Sequence, residues 1–105
     1  YWTRDRSDGR IALPRAIGML TKDPAAYLGL QDRGRIKVGM KADINIIDYD
    51  RLALKAPRMV QDLPAGGQRL LQDATGFIAT LVSGREVVRD DRVTEERPGK
   101  LVRFN

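Results

Sequence analysis

Apolar residues in the first third of the chain recur at the spacing of an α-helix. Leu13, Ile17 and Leu20 are four and three positions apart, so a helix would place them on one face. Pro14 suits the first turn of such a helix, where its missing N–H group leaves no hydrogen bond unmade. The pattern therefore predicts a helix that contains Leu13 to Leu20 and ends near Thr21–Asp23.

A second and shorter helix is predicted directly after the first. Asp23 is a favoured N-terminal cap, Pro24 suits the first turn, and Gly29 is a common stop signal. Helices this short are marginal alone and depend on packing. We expect the helix pair to bury four apolar side chains against another part of the structure: Ile17, Leu20, Leu28 and Leu30.

From Gly34 onward the pattern changes to that of strands. The segment Ile44–Tyr49 is rich in β-branched residues, and Phe77–Ser83 divides its side chains between two faces. The pair Ser83-Gly84 predicts a hairpin turn into a strand over Glu86–Arg89. Weaker strands are predicted at Met59–Val60, Arg69–Gln72, Arg92–Thr94 and Leu101–Phe104.

These elements predict a mainly β fold with N-terminal α-helices. We divide the chain into residues 1–33, the helical part, and residues 34–105, the strand part. The strands Ile44–Ile47 and Phe77–Val82 are apolar on both faces, and such strands normally lie inside a sheet or beneath a covering layer. Two short helices supply little cover, so we expect the chain to belong to a larger structure.

The residue types present limit the chemistry. The chain has 105 residues, of which 42% are hydrophobic and 31% are charged, as in one globular domain. It contains no histidine and no cysteine. Serine–histidine and cysteine–histidine nucleophile pairs are therefore excluded, and a zinc site would have to use carboxylates alone. The composition argues against a self-contained hydrolytic site.

The positive charge is concentrated in the first part of the chain. The net charge is +5, and residues 1–41 carry all of the excess, with nine Lys or Arg against four Asp. Such an asymmetry raises the alternative of a small basic nucleic-acid-binding module. Acidic residues interrupt the basic ones, aromatic residues are few, and no known nucleic-acid-binding motif occurs, so we expect nucleic acid not to be the partner.

Neither a membrane span nor a leader is evident. No apolar run approaches 18 residues, and the first ten residues lack the layout of a signal peptide. The chain starts at Tyr1 rather than methionine, which leads us to expect a longer polypeptide upstream. The absence of cysteine fits a reducing compartment, so we expect a cytoplasmic location.

One stretch, GRIKVGMKADINIID, resembles a segment of the metal-dependent amidohydrolases that follows the last barrel helix. The matching positions in this sequence are Gly34, Ile36, Gly39, Ala42, Asp43, Ile44, Ile46, Ile47 and Asp48. The preceding TKDPAAYLGL is similar to the helix pair of the same superfamily. The resemblance implies the last helices of a TIM barrel followed by part of a composite β-sandwich, which takes strands from both ends of the full chain.

The later segment DLPAGGQRLLQDATGFIATLVSGREVVRDD resembles the D-aminoacylase branch, the N-acyl-D-amino-acid deacylases. The resemblance implies a whole protein that is a zinc-dependent hydrolase of N-acyl-D-amino acids, with its metal ligands outside this chain. It therefore implies no catalytic, cofactor-binding or metal-binding residue here. The partner it implies is the N-terminal barrel portion of the same protein. Relatives often have glycine where this chain has Asp90-Asp91, so we expect a looser turn there.

Several residues could have a catalytic or binding role, but we expect each of them to have a structural role. Asp43 could be a catalytic acid, and Asp48 and Asp50 could act as an acid–base pair, but we expect all three to be turn formers. We expect plain loop, packing or solvated roles for the others: Asp5, Asp8, Tyr1, Trp2, Arg4, Arg6 and the pair Gly66-Gly67. A third function class remains open, self-association through exposed strand edges, and it predicts a homo-oligomer.

Overall fold

The computed structural model describes residues 1–103. Two helices come first, α1 (Leu13–Leu20) and α2 (Lys22–Tyr27), and a 3₁₀ turn spans Pro64–Gly66. The strands are β1 (Ile44–Ile47), β2 (Ala53–Leu54), β3 (Arg58–Val60), β4 (Arg69–Leu71), β5 (Ala74–Thr75), β6 (Phe77–Val82), β7 (Arg85–Arg89) and β8 (Arg92–Val93).

The observed elements confirm the predicted fold class, mainly β with N-terminal helices. Residues 101–103 form no strand, and Phe104, the end of the strand predicted there, lies outside the described residues. Among residues 1–103, no helix has the length and apolar character needed to cross a lipid bilayer.

The chain divides into two compact units. The first spans Tyr1–Ala42 and contains both helices, and the second begins at Asp43 and contains all the strands. We call them the helical unit and the β unit. The domain division predicted between residues 33 and 34 stays a prediction.

The helical unit is organised around the junction between its two helices. Pro14 occupies the first turn of α1, as its spacing predicted, and the Arg15 guanidinium lies 2.9 Å from the Asp23 carboxylate. Gly34 has a φ of +88°, and a Cβ there would lie 2.6 Å from the Ala25 Cβ and 2.9 Å from the Thr21 carbonyl oxygen. Only glycine permits both that backbone conformation and that close approach.

The β unit is built on a four-stranded antiparallel sheet in the order β1-β6-β7-β8. Ile44 pairs with Leu81 and Ile46 with Ala79, while Asn45 pairs with Thr80 and is hydrogen-bonded to it at 2.8 Å. Register shifts interrupt both pairings of β6. The two longest predicted strands are therefore neighbours, with β6 inside the sheet and β1 at its edge.

Both connections between the last three strands are two-residue turns. Ser83 and Gly84 have φ of +52° and +77°, and Asp90 and Asp91 have φ of +48° and +63°. These values are those of type I′ turns, which match the twist of antiparallel strands. The expectation of a looser turn at Asp90-Asp91 is wrong, because aspartate tolerates the left-handed conformation without glycine.

Residues 53–75, which follow β1 and precede β6 in the chain, form a two-stranded arm that is not part of the four-stranded sheet. Its antiparallel pairs are β2 with β5 and β3 with β4. The backbone N–H of Lys55 donates to the Asp73 carbonyl oxygen at 2.9 Å, which links the two short pairings. At its base, Gly76 has a φ of +97°, and a Cβ there would lie 2.7 Å from the Leu52 Cα.

Burial is sparse in both units. Among the described residues, the buried hydrophobic side chains are Ala25 and Ala79, the latter 2% exposed. The helix pair does not bury its predicted apolar face, because Ile17, Leu20 and Leu28 are all exposed and Leu20 is 77% exposed. The helical unit itself therefore supplies no second layer over these side chains.

Replacing Gly34 or Gly76 by alanine tests the two close backbone approaches. We expect each change to cost more than about 1–3 kcal/mol, the range for a left-handed non-glycine backbone, because the Cβ clash adds to it. Amide hydrogen exchange should then accelerate by about tenfold or more around the altered site.

The matched control is Gly99→Ala, since a Cβ at Gly99 meets no atom within 4 Å and its φ is not positive. Exchange measured by mass spectrometry should be unchanged in that variant. Equal exchange rates in Gly76→Ala and Gly99→Ala would contradict the assigned role of Gly76.

Candidate functional site

Asp43 and Asp48, two of the carboxylates that the sequence singles out, accept hydrogen bonds from backbone N–H groups, Asp48 locally and Asp43 from a distant part of the chain. The Asp43 Oδ1 accepts a hydrogen bond from the Ser83 N–H at 2.8 Å, which ties the start of β1 to the hairpin turn. The Asp48 N–H donates to the Gly76 carbonyl oxygen at 2.8 Å, and its Oδ1 accepts from the Arg51 N–H at 3.3 Å. Asp50 lies in the turn that follows β1.

Asp91 is the carboxylate whose role sequence reasoning missed. Its Oδ1 accepts from the Phe77 N–H at 2.7 Å and its Oδ2 from the Gly76 N–H at 3.1 Å. Its own N–H donates to the Phe77 carbonyl oxygen at 2.9 Å. Asp91 thus clamps the first residues of β6 from the turn between β7 and β8. The sequence features that could have indicated this contact are the Asp90-Asp91 turn after β7 and Gly76 directly before β6.

Arg4 and Arg6, which could have bound a substrate carboxylate, contact other residues of the N-terminal loop. The Arg4 guanidinium pairs with both oxygens of Asp5, one contact being 3.0 Å, and this hydrogen bonding lowers the pKa of Asp5. The Arg6 guanidinium carbon lies 4.4 Å from the Trp2 ring centroid, a cation–π contact. Tyr1 packs edge-on to Trp2 at 5.9 Å.

The tip of the arm closes on itself. The Gly67 N–H donates to the Pro64 carbonyl oxygen at 3.2 Å, so this group points into the turn rather than toward an anion. Arg69 pairs with both oxygens of Asp62, with its Nε 2.7 Å from Oδ1. The hydrogen bonds with Arg69 lower the pKa of Asp62, and the pKa of Arg69 is raised in turn.

The donors present do not fit a hydrolytic metal ion. Within residues 1–103, no group of three or more His, Cys, Asp or Glu side chains could hold one. Asp43 and Asp91 already accept from backbone N–H groups, and Asp5, Asp32 and Asp62 pair with arginines. Chemistry that requires a zinc ion therefore finds no ligand set in this part of the chain.

The helical unit contains a depression of about 280 Å³ with mixed lining. Lys22, Arg33 and Arg35 contribute positive charge, and Leu30 and Met40 contribute apolar surface. The Arg33 Nε lies 2.9 Å from the Asp32 Oδ1, and this pairing lowers the pKa of Asp32. An open hollow of this kind suits a side chain of a docking partner better than an enclosed small molecule.

The most extensive feature of the surface is exposed apolar side chains. The accessible surface is 8693 Å², whereas a compact monomer of this mass exposes about 5,900 Å². Even two separate units divided after Ala42 would together expose only about 7,100 Å². The largest exposures in the helical unit include Tyr27, 89% exposed, and Val38, fully exposed. These exposed apolar side chains are therefore the candidate functional surface of the described residues.

The two edges of the four-stranded sheet differ in how well they are protected. β8 is only two residues long and carries Arg92, both of which blunt an edge. β1 has four residues, three of them isoleucine, and Ile46 is exposed. β1 is therefore the edge that can accept a further strand.

Comparison with known proteins identifies the family. The amidohydrolase family matches residues 2–88, and the chain belongs to that family. It is 34% identical over 90 residues to a dihydroorotase of Methanothermobacter thermautotrophicus, covering 85% of this chain and 21% of that protein. It is 32% identical over 100 residues to an N-acyl-D-aspartate deacylase of Alcaligenes xylosoxydans xylosoxydans, covering 95% of this chain and 18% of that protein.

A third relative is an adenine deaminase of Desulfatibacillum aliphaticivorans, 35% identical over 66 residues, covering 59% of this chain and 10% of that protein. No solved structure matches the chain. The chain spans about a fifth of the length of the first two relatives. The resemblance read from the sequence is thus confirmed for the family, and the relatives differ in the reactions that their names state.

The Asp62–Arg69 pair generates a pH prediction. Because the pKa of Asp62 is lowered in the folded arm, the pair stabilises the arm fully above the ordinary aspartate pKa of about 3.9. That stabilisation disappears as the pH falls through the lowered pKa. Carboxyl titration by NMR should therefore give Asp62 a pKa below the ordinary value.

The variant Arg69→Gln should return the Asp62 pKa to its ordinary range. Asp5 and Asp32 serve as internal controls, because their pKa values are lowered by Arg4 and Arg33 and should not respond. An unchanged Asp62 titration in Arg69→Gln would show that the arginine is not the cause.

Proposed function

We propose that this chain forms a structural portion of a metal-dependent hydrolase that acts on N-acyl-D-amino acids, and that it supplies no catalytic group. The observation that carries the proposal is the set of large apolar side chains that remain exposed on a chain of the amidohydrolase family. In this proposal the helical unit packs against a barrel portion of the same protein. The zinc ion and its ligands belong to that portion.

The choice of substrate class is supported by the extent of one comparison. The match to the N-acyl-D-aspartate deacylase covers 95% of this chain, whereas the dihydroorotase match covers 85%. The arm and its DLPAGG turn contain residues that resemble the D-aminoacylase branch. We infer an acylated D-amino acid as the substrate of the whole protein, and the cysteine-free composition supports a cytoplasmic location.

The exposed edge at β1 supports the proposal that the β unit is part of a β-sandwich completed by strands from elsewhere in the protein. Its isoleucine-rich strand lies at the edge of the sheet and is apolar toward both faces. A strand from the rest of the protein that paired with β1 would add main-chain hydrogen bonds and cover Ile46. In this proposal β1 becomes an interior strand, as its composition favours.

Nucleic-acid binding, the alternative, receives less support from the charges. Four arginines of the helical unit, Arg4, Arg6, Arg15 and Arg33, each pair with a neighbouring aspartate. Paired guanidinium groups are less available to phosphates. Binding to duplex or single strands should therefore be absent even at low salt, where a basic module binds most tightly.

The activity test uses the 105-residue chain itself. We expect no hydrolysis of N-acetyl-D-aspartate or N-acetyl-D-glutamate above the blank when zinc is added, because the chain lacks imidazole and thiol ligands. Mass spectrometry of the free amino acid provides the readout. Zinc-dependent turnover that survives further purification would refute the proposal that catalysis lies outside these residues.

A further inference from the structure

The depression in the helical unit brings three positive charges together. Gly34 approaches helix α2 so closely that a Cβ there would lie 3.4 Å from the Lys22 Cα. Its neighbours in the chain, Arg33 and Arg35, line the depression together with Lys22. The close approach at Gly34 therefore gathers these cations around one hollow. Within the described part of the chain, no acidic side chain lines it.

Two of the three cations lack a side-chain partner among residues 1–103. Arg33 pairs with Asp32, and the distance from Nε to Oδ1 is 2.9 Å. The side chains of Lys22 and Arg35 form no hydrogen bond and no ion pair with any described residue. The neighbouring Asp23 is already paired with an arginine of α1. Like charges held close together repel one another, so an anion placed among them is stabilised.

Arg35 is the exception among the arginines of the helical unit, all of which lie in the described part of the chain. The others each have a side-chain partner: Arg4, Arg6, Arg10, Arg15 and Arg33. A guanidinium group offers N–H donors in a planar fork that fits a carboxylate. Arg35 is therefore the donor group that remains available to a carboxylate from elsewhere.

The rest of the lining favours an acidic side chain over a small inorganic anion. Leu30 and Met40 contribute apolar surface, and both are half-buried. An inorganic anion would leave this surface in contact with water. An aspartate or glutamate side chain places its methylene groups against the apolar lining and its carboxylate against the cations, which is the usual division of labour in a binding site.

We propose that the depression receives an aspartate or glutamate side chain from the remaining portion of the same protein, and that its carboxylate pairs with Lys22 and Arg35. This inference rests on the proposed function, in which the helical unit packs against a barrel portion. Charge favours that occupant, because residues 1–41 carry nine Lys or Arg against four Asp, so an acidic surface is attracted and a second copy of the unit is repelled.

The lengths of the relatives favour the same source. The matched region is about a fifth of the first two relatives, so most of the surface in such proteins belongs to the other residues. A charge pair at the rim of a contact contributes little stability and mainly fixes orientation. The pair would therefore set how the helical unit sits on the barrel portion.

Zero-length cross-linking of the whole protein tests the source of the carboxylate. A carbodiimide joins a lysine amine to a carboxylate that touches it, so peptide mass spectrometry should find Lys22 linked to an Asp or Glu outside these 105 residues. Lys37 is the matched control, since it is exposed, has no side-chain partner among the described residues and does not line the depression. The Lys22 link should be lost in Arg35→Asp, which repels the carboxylate.

Two cross-linking results would overturn the proposal. One is a Lys22 that links only to carboxylates within the 105 residues. The other is a Lys37 that links to the remaining portion as readily as Lys22 does.

NMR titration of the 105-residue chain tests the chemistry of the depression without the rest of the protein. The blocked peptide N-acetyl-leucyl-glutamate amide should shift the amide signals of Lys22 and Arg35, and its glutamine counterpart should not. Arg35→Gln should weaken binding of the glutamate peptide by about tenfold, the loss expected for one hydrogen-bonded charge pair. Lys37→Gln should bind it as the native chain does.

Equal shifts with the two peptides, or none with either, would overturn the proposal. Inorganic phosphate that binds as tightly as the glutamate peptide would do the same, because it would show a general anion site. Zinc-dependent turnover by the chain alone would refute the proposed function and leave the peptide titration unchanged, so the two failures can be distinguished.

Discussion

Apolar surface that neither the helical unit nor the β unit buries within itself is the constraint on which the rest of the structure depends. Ala25 and Ala79 are small, and no large side chain in the described part of the chain is fully buried. The hydrophobic effect normally supplies the main favourable term in folding, at about 25 cal/mol per Å². Leu20, Tyr27 and Ile46 remain exposed in the described structure, so their side chains contribute little to that term within the two units.

Local hydrogen bonds and backbone geometry give the two units their form in the absence of a large core. Asp91 and Asp43 fix strand ends through backbone N–H groups, and Gly34 and Gly76 allow close backbone approaches that a side chain would prevent. These interactions specify where strands begin and turn. They contribute little net free energy each, because water offers comparable hydrogen bonds in the unfolded chain.

The sequence predicted those features that depend on neighbouring residues. β-branched residues located β1, the Ser83-Gly84 pair located the hairpin, and Pro14 located the start of α1, because each acts through local sterics. Which residues or strands contact each other across the chain was harder to predict. The clamp by Asp91 joins residues 14 positions apart, and the short pairing of β2 with β5 has too few residues to give a periodic signal. The apolar stripe of α1 predicted a buried face, but Ile17 and Leu20 are exposed in the described structure, because the stripe reports an apolar face and not what covers it.

Differential scanning calorimetry of the 105-residue chain tests most directly whether it contains its own core. A self-sufficient domain of this length unfolds with an enthalpy of about 70 kcal/mol near 60 °C. We expect a broad transition with an enthalpy far below that value, together with binding of a dye that reports exposed apolar surface. A sharp two-state transition with the full enthalpy, in a monomeric sample that binds no dye, would contradict the dependence on an external partner.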